Sequence, residues 1–230
     1  MDVSPAQAST RSPWEDRALE RSLSAARDRF SARAHRLVGA ARDLAAERGS
    51  SEFTVAEVAE RADVALRTFY RSFAGRDELL LALFEEEARF GAEHLRAVVD
   101  SASEPLERLR CYVTELCHLL VTGSGYASLL VREFLRLGET HPDELRMALA
   151  PMVDLLEVEL RSAAAAREIR PVDHDDAVVV FTLVLAHVHA AVLVASDTGK
   201  VGDGAVDSAV SAERLWDFCR SGLSTGGEAL

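Results

Sequence analysis

Three cysteines, Cys111, Cys117 and Cys219, are too few and too odd in number for a disulfide framework, and they sit in apolar, helix-like surroundings. A reducing compartment fits that usage. The first 29 residues mix Ser, Ala, Arg and acids without an apolar run of signal-peptide length. Nothing there marks the chain for export, and a cytoplasmic location is expected. No stretch alternates apolar and polar residues convincingly with period two, and no repeat recurs at a spacing of roughly 20–50 residues, which argues against sheet-based and solenoid architectures. Nucleophile-elbow, phosphate-cradling and zincin motifs are all missing, so no catalytic residue and no cofactor is assigned. Metal ligands are missing too. His187 and His189 are two apart and fall on nearly opposite sides of a helix, while Cys111 and His118 share a face but lie about 10 Å apart along the axis.

What is present is a chain that folds and stays in solution. Its 230 residues suffice for one large core, or for a small domain joined to a larger one. Hydrophobic residues make up 48% and charged residues 28%, too apolar for disorder and charged enough for solubility. The net charge of −12 argues at first against nucleic acid as a partner. Its distribution changes that reading, because residues 1–76 carry 13 Arg against 11 acids while the remainder carries 13 Lys and Arg against 27 acids. A mildly basic head on a strongly acidic body suits a DNA reader with a separate regulatory domain. Acidic helices that merely keep the protein soluble explain the body equally well.

Helical periodicity runs throughout. Phe30, Ala34, Leu37, Val38, Ala41, Leu44 and Ala45 recur at three- and four-residue spacing, which predicts a first helix from about Arg27 to Arg48, with Gly49 as its left-handed cap. Thr54 and Glu57 form a capping box that opens a short helix ending near Ala62. After Asp63 and Val64 a second short helix is expected from Ala65 to about Arg71, and a long one from Arg76 toward Asp100. Pro105 opens a helix to about Val121, and Tyr126 to Leu137 forms another that Gly138 stops. Pro142 begins a long amphipathic stretch to about Glu168. Asp173, Asp175 and Asp176 suit the start of the next helix, where carboxylates meet the positive end of the dipole. A final helix lies around Ala209 to Arg220. The expectation is an all-α protein, with an arm at residues 1–26, a helix-turn-helix domain at 27–76 and a larger helical ligand-binding and dimerisation domain at 77–230.

The segment from Phe53 to Leu80, FTVAEVAERADVALRTFYRSFAGRDELL, carries the most information. A small residue is needed where two helices cross, and Ala59 supplies it. Apolar anchors are needed under the second helix, and Val64, Phe69 and Phe73 supply them. Ala65, Leu66, Arg67, Thr68, Tyr70 and Arg71 are then left toward solvent or DNA. Arg67, early on the second helix, has the forked guanidinium that suits bidentate contact to guanine. Thr68 and Arg71 can serve either base or phosphate.

In Thr54, Val58-Ala59, Val64, Thr68, Phe69-Tyr70, Phe73, Arg76 and Leu79-Leu80, order and spacing resemble the TetR family of bacterial regulators. The resemblance covers about 50 residues, from Phe30 to Leu80. It implies a homodimer that binds double-stranded operator DNA as a ligand-released repressor, with Thr54, Tyr70 and Arg76 on the sugar-phosphate backbone. Thr54 read alone is equally a helix cap, Tyr70 a core aromatic and Arg76 the start of an exposed helix. The chain departs from the family pattern at Asp63, where Gly is usual, and at Ala65, where Ser is frequent. Asp63 tolerates the left-handed region better than most residues, whereas Ala65 removes one capping or phosphate contact. Arg11, Arg17, Arg21, Arg27 and Arg29 can enter a minor groove as an arm, or belong to a disordered segment.

Ala177 to Ala195 holds 19 residues without a carboxylate, Lys or Arg, long enough to span a membrane. His187, His189, five alanines and the lack of a basic anchor before Lys200 favour a buried dimer helix instead. The resemblance implies that Pro142–Glu168 and Asp173–Ser196 pair with their symmetry mates into a four-helix bundle. Phe90, His94, Tyr112, His118, Tyr126, Phe134 and His187 are polar or aromatic groups set in apolar helices, as expected of a pocket for a small, mostly apolar effector. An all-helical enzyme and a membrane-anchored sensor are the alternative functions, the first needing a catalytic pair and the second a true span.

Overall fold

A computed structural model describes residues 12–48, 51–122, 124–197 and 208–224, with 13, 121–122, 124–131, 192–197 and 208–210 described by backbone only. Among these residues there are helices and turns but no strand: α1 (Pro13–Arg48), α2 (Val55–Arg61), α3 (Leu66–Ser72), α4 (Arg76–Val99), α5 (Pro105–Thr122), α6 (Ser124–Thr140), α7 (Pro142–Ala165), α8 (His174–Asp197) and α9 (Ser208–Leu223). The protein is all-α, a small helix-turn-helix head carried by α4 into a larger helical body.

Several helix bounds differ from the sequence reading, three of them instructively. α1 begins at Pro13, well before Arg27. Ser12 and Pro13 start it, with the Ser12 amide donating to Glu15 at 2.7 Å, and nothing from 14 to 30 breaks it. Its first turns carry Trp14, Leu19, Leu23 and Phe30 exposed, so the packed part of α1 starts only near Ala34. α6 runs through Gly138 to Thr140, since one glycine costs a helix only about 1 kcal/mol. α7 ends at Ala165, where Arg167 takes a left-handed φ of 63° and the Glu168 amide bonds back to the Ala163 carbonyl at 3.0 Å. Gly49 lies outside the described residues.

Leu37, Val38, Ala41, Leu44 and Ala45 of α1 pack with Val58, Ala59 and Phe69 of the short helices and with Leu79, Leu80 and Leu83 of α4 to form the core of the head. In the body α5 is central, its Leu109, Tyr112, Val113, Leu116 and Cys117 buried among α4, α7, α8 and α9. α4 crosses α7 closely. A Cβ on Gly91 would lie 3.1 Å from Met152 Cε, so a larger residue there would push the methionine side chain aside by a few tenths of an ångström. Glu159 of α7, only 2% exposed, accepts a fork from Arg108, with Nε at 2.8 Å and Nη2 at 2.9 Å.

α8 buries Ala177, Val180, Phe181, Val184, Leu185 and Val188 on one face within its own chain, while Val178, Val179, Thr182, Ala186 and Ala190 stay uncovered on the other. Among the described residues no helix is long and apolar enough to cross a membrane.

Candidate DNA-binding surface and head-to-body junction

The local chemistry of the helix-turn-helix is fully formed. Thr54 Oγ1 accepts from the Glu57 amide at 3.2 Å, and the Thr54 amide donates to Glu57 Oε2 at 2.7 Å. Arg48 donates to the same carboxylate at 2.6 Å. This bond and those from Thr54 hold Glu57 down at about 2. The turn closes with the Val64 amide on the Ala59 carbonyl at 2.9 Å, and Asp63 adopts a φ of 50°. That is the left-handed region the departure from glycine calls into question, and Asp occupies it. Asp63→Val is expected to cost about 1–2 kcal/mol, because a β-branched side chain pays the full left-handed penalty. Urea melts of the two proteins check this.

α3 stands on Phe69 and Phe73, both buried with ring centroids 5.8 Å apart. Arg67, Tyr70 and Arg71 are exposed, Thr68 is half-buried, and Tyr70 is 57% exposed with its ring edge-on to Phe69. Leu66 is exposed beside them. Ala65 caps α3 without a side-chain bond. A short rigid helix therefore offers two guanidinium groups, two hydroxyls and an apolar side chain on one surface, a donor-rich set suited to base edges and phosphates.

Arg76 stands apart from that surface. Its Nη2 donates to the Ser51 carbonyl at 2.8 Å and to Glu133 Oε1 of α6 at 2.9 Å, and its guanidinium lies 5.6 Å from the centre of the Phe53 ring. Glu133 is buried. It also accepts from the Ser51 hydroxyl and from Arg136 Nε at 2.7 Å. Burial pushes the Glu133 carboxyl up, but these three donors outweigh it and hold it below the usual range. Arg136 in turn forks onto Asp77 at the start of α4, at 2.6 and 3.1 Å. One carboxylate of the body thus joins the loop after α1, the start of α4 and α6. Sequence reading had no signal for it, since Glu133 lies 57 and 82 residues from its partners in the head.

Of the seven residues expected around an effector, the six whose side chains are described do not share one cavity. Tyr112 is in the core, its hydroxyl donating to the Met152 carbonyl at 2.8 Å. His187 meets Ser211 Oγ of α9 at 2.6 Å, and its pKa is lowered by burial and by Arg214. Phe90 and His118 are exposed. His94 lies on the surface with Glu115 at 2.7 Å. Tyr126 belongs to α6 at a position whose side chain is outside the described residues. Among the described side chains of this set, Phe134 alone lines a cleft of about 260 Å³ between α6, α7 and α8, together with Leu145, Leu149, Val153, Val178 and Phe181.

Residues 37–83, from the packed part of α1 into α4, match the model for bacterial regulatory proteins of the tetR family. That stretch carries the DNA-binding domain of TetR-family transcriptional regulators. Among solved structures, RolR bound to resorcinol superposes with a TM-score of 0.64 at 20% identity, covering 88% of this chain and 98% of that one. FadR from Bacillus subtilis, bound to stearoyl-CoA, gives 0.63 at 18% identity over 82% and 98%. FadR from Thermus thermophilus, a repressor bound to lauroyl-CoA, gives 0.61 at 21% over 86% and 98%. This chain therefore shares their fold over nearly their whole length. Among curated proteins, no sequence matches.

Proposed function

We infer that the protein is a cytoplasmic, homodimeric repressor that grips an inverted-repeat operator and releases it when a small, mostly apolar effector enters the body. The carrying observation is the outer surface of α3, where Arg67, Thr68, Tyr70 and Arg71 are presented by a helix pinned on Phe69 and Phe73. Arg67 reads a base edge, Thr54 and Tyr70 hold phosphates, and Arg76 aligns the head through Glu133 as well as adding charge near the backbone. The head extends to about residue 76, and residues 77–230 form the regulatory body.

Two copies are needed to read an inverted repeat. The uncovered face of α8, Val179, Ala186 and Ala190, supports pairing across a twofold axis beside exposed Val158 of α7. Effector control is supported by the resorcinol, stearoyl-CoA and lauroyl-CoA that the three similar structures hold. Operator binding measured by fluorescence anisotropy on specific and scrambled duplexes tests the reading. Arg67→Ala should lose about 1–3 kcal/mol on the specific duplex and little on the scrambled one. Equal loss on both would remove Arg67 from base readout.

A further inference from the structure

The cleft between α6, α7 and α8 has apolar walls and a polar rim. Phe134, Leu145, Leu149, Val153, Val178 and Phe181 form the walls, and Arg146, Asp154, His174 and Thr182 stand among the other lining residues. Its volume of about 260 Å³ falls just under the range of roughly 300–1,000 Å³ that holds drug-sized ligands. An apolar cavity of about 150 Å³ already accepts a benzene ring. The rim mixes signs. Arg146 is held by Asp143 at 2.9 Å, His174 by Glu157 at 2.7 Å, and Asp154 contributes a carboxylate. A carboxylate ligand would meet Asp154 and an ammonium would meet Arg146, so a neutral molecule with a hydroxyl for Asp154 or Thr182 fits better than either ion.

α6 serves two places at once. Phe134 and Gly138 line the cleft, while Glu133 and Arg136 hold Ser51, Arg76 and Asp77 at the base of the head. Any ligand that displaces Phe134 moves the neighbouring residue on which the head is tied.

Resting on the reading of the protein as an effector-controlled repressor, we propose that this cleft is a binding site for compact, uncharged phenols and that occupancy is passed to the DNA-binding head through Glu133. A ligand alters operator affinity only by the difference in its affinity for the two head arrangements. The rigid carboxylate junction is the element that makes such a difference possible. Glu133 is thus a coupling residue and touches neither ligand nor DNA.

The full-length protein is titrated with phenol, resorcinol and 4-propylphenol by calorimetry, and operator binding is followed by anisotropy with and without each compound. Saturable binding of at least one compound is expected, with operator affinity falling by roughly 5–150-fold at saturation. Ala150→Phe fills the cleft and should abolish the heat of binding. Gly138→Leu does the same with a better helix former, in a position where a Cβ meets only Leu145 at an ordinary 3.8 Å, and circular dichroism of both variants separates loss of the site from loss of the fold. Glu133→Gln should bind the phenol as before yet lose most of the effect on operator affinity. Binding that survives both filling variants, or no binding by any of the three, overturns the site. Undiminished release in Glu133→Gln overturns the coupling. Operator affinity of the unliganded protein is read in the same titration, so failure to bind an inverted repeat at all would instead sink the repressor reading.

Discussion

Arg108→Ala should destabilise the protein by about 3–5 kcal/mol, a large share of what holds a domain together. Arg108 forks both oxygens of Glu159 and also reaches Asp100 at 3.0 Å. The bonds to Glu159 and Asp100 raise the guanidinium pKa above its ordinary value, so the cation is never lost near neutral pH. Glu159 sits between α5 and α7 with 2% of its surface exposed, so removing the arginine strands a carboxylate in the core. The double variant Arg108→Ala with Glu159→Leu should recover much of the loss, because a desolvated ion pair is worth little against an apolar replacement of similar volume. Urea melts at fixed protein concentration measure all three. If the double variant is no more stable than the single one, the penalty is lost packing rather than a stranded charge.

The second large effect separates the two faces of α8. Val184 is fully buried inside its own chain and Val179 is 56% exposed on the opposite face. Val184→Asp should cost roughly 3–5 kcal/mol, since nothing apolar around it can satisfy a carboxyl group, and should show as a fall in melting temperature at every concentration. Val179→Asp should leave the folded chain intact, because the residue reaches solvent in a single chain, but should dissociate the proposed dimer. Light scattering at micromolar concentration, with circular dichroism beside it, tells these apart. A Val179→Asp protein that remains a dimer would move the interface off this face of α8.

How far the sequence was sufficient depends on the range of the interaction. The Thr54–Glu57 capping box, the left-handed turn at Asp63, Ala59 at the crossing and the aromatic anchors of α3 all join residues within a few positions of one another. Residue type and spacing therefore specify them directly. The first helix was harder to bound: its N-terminal turns, Trp14 to Phe30, have helical continuity but no packing partner among the described residues, so periodicity against a core could not mark where it begins. Gly138 likewise reads as a stop locally, yet lies inside α6, where neighbouring helices outweigh the small propensity cost.

The residue types that mark a pocket are the same ones that serve as satisfied core or surface groups. Tyr112 illustrates this, buried with its hydroxyl on the Met152 carbonyl. By itself the sequence determined the helical class, the helix-turn-helix and the side chains offered by α3, because these follow from local hydrogen bonding and 3.6-residue periodicity. Only the tertiary structure decided that Arg76 is tied to Glu133, that α8 is covered on one face alone, and that Phe134 opens onto a cleft. Each depends on groups far apart in the chain meeting in space, and no spacing rule encodes those meetings.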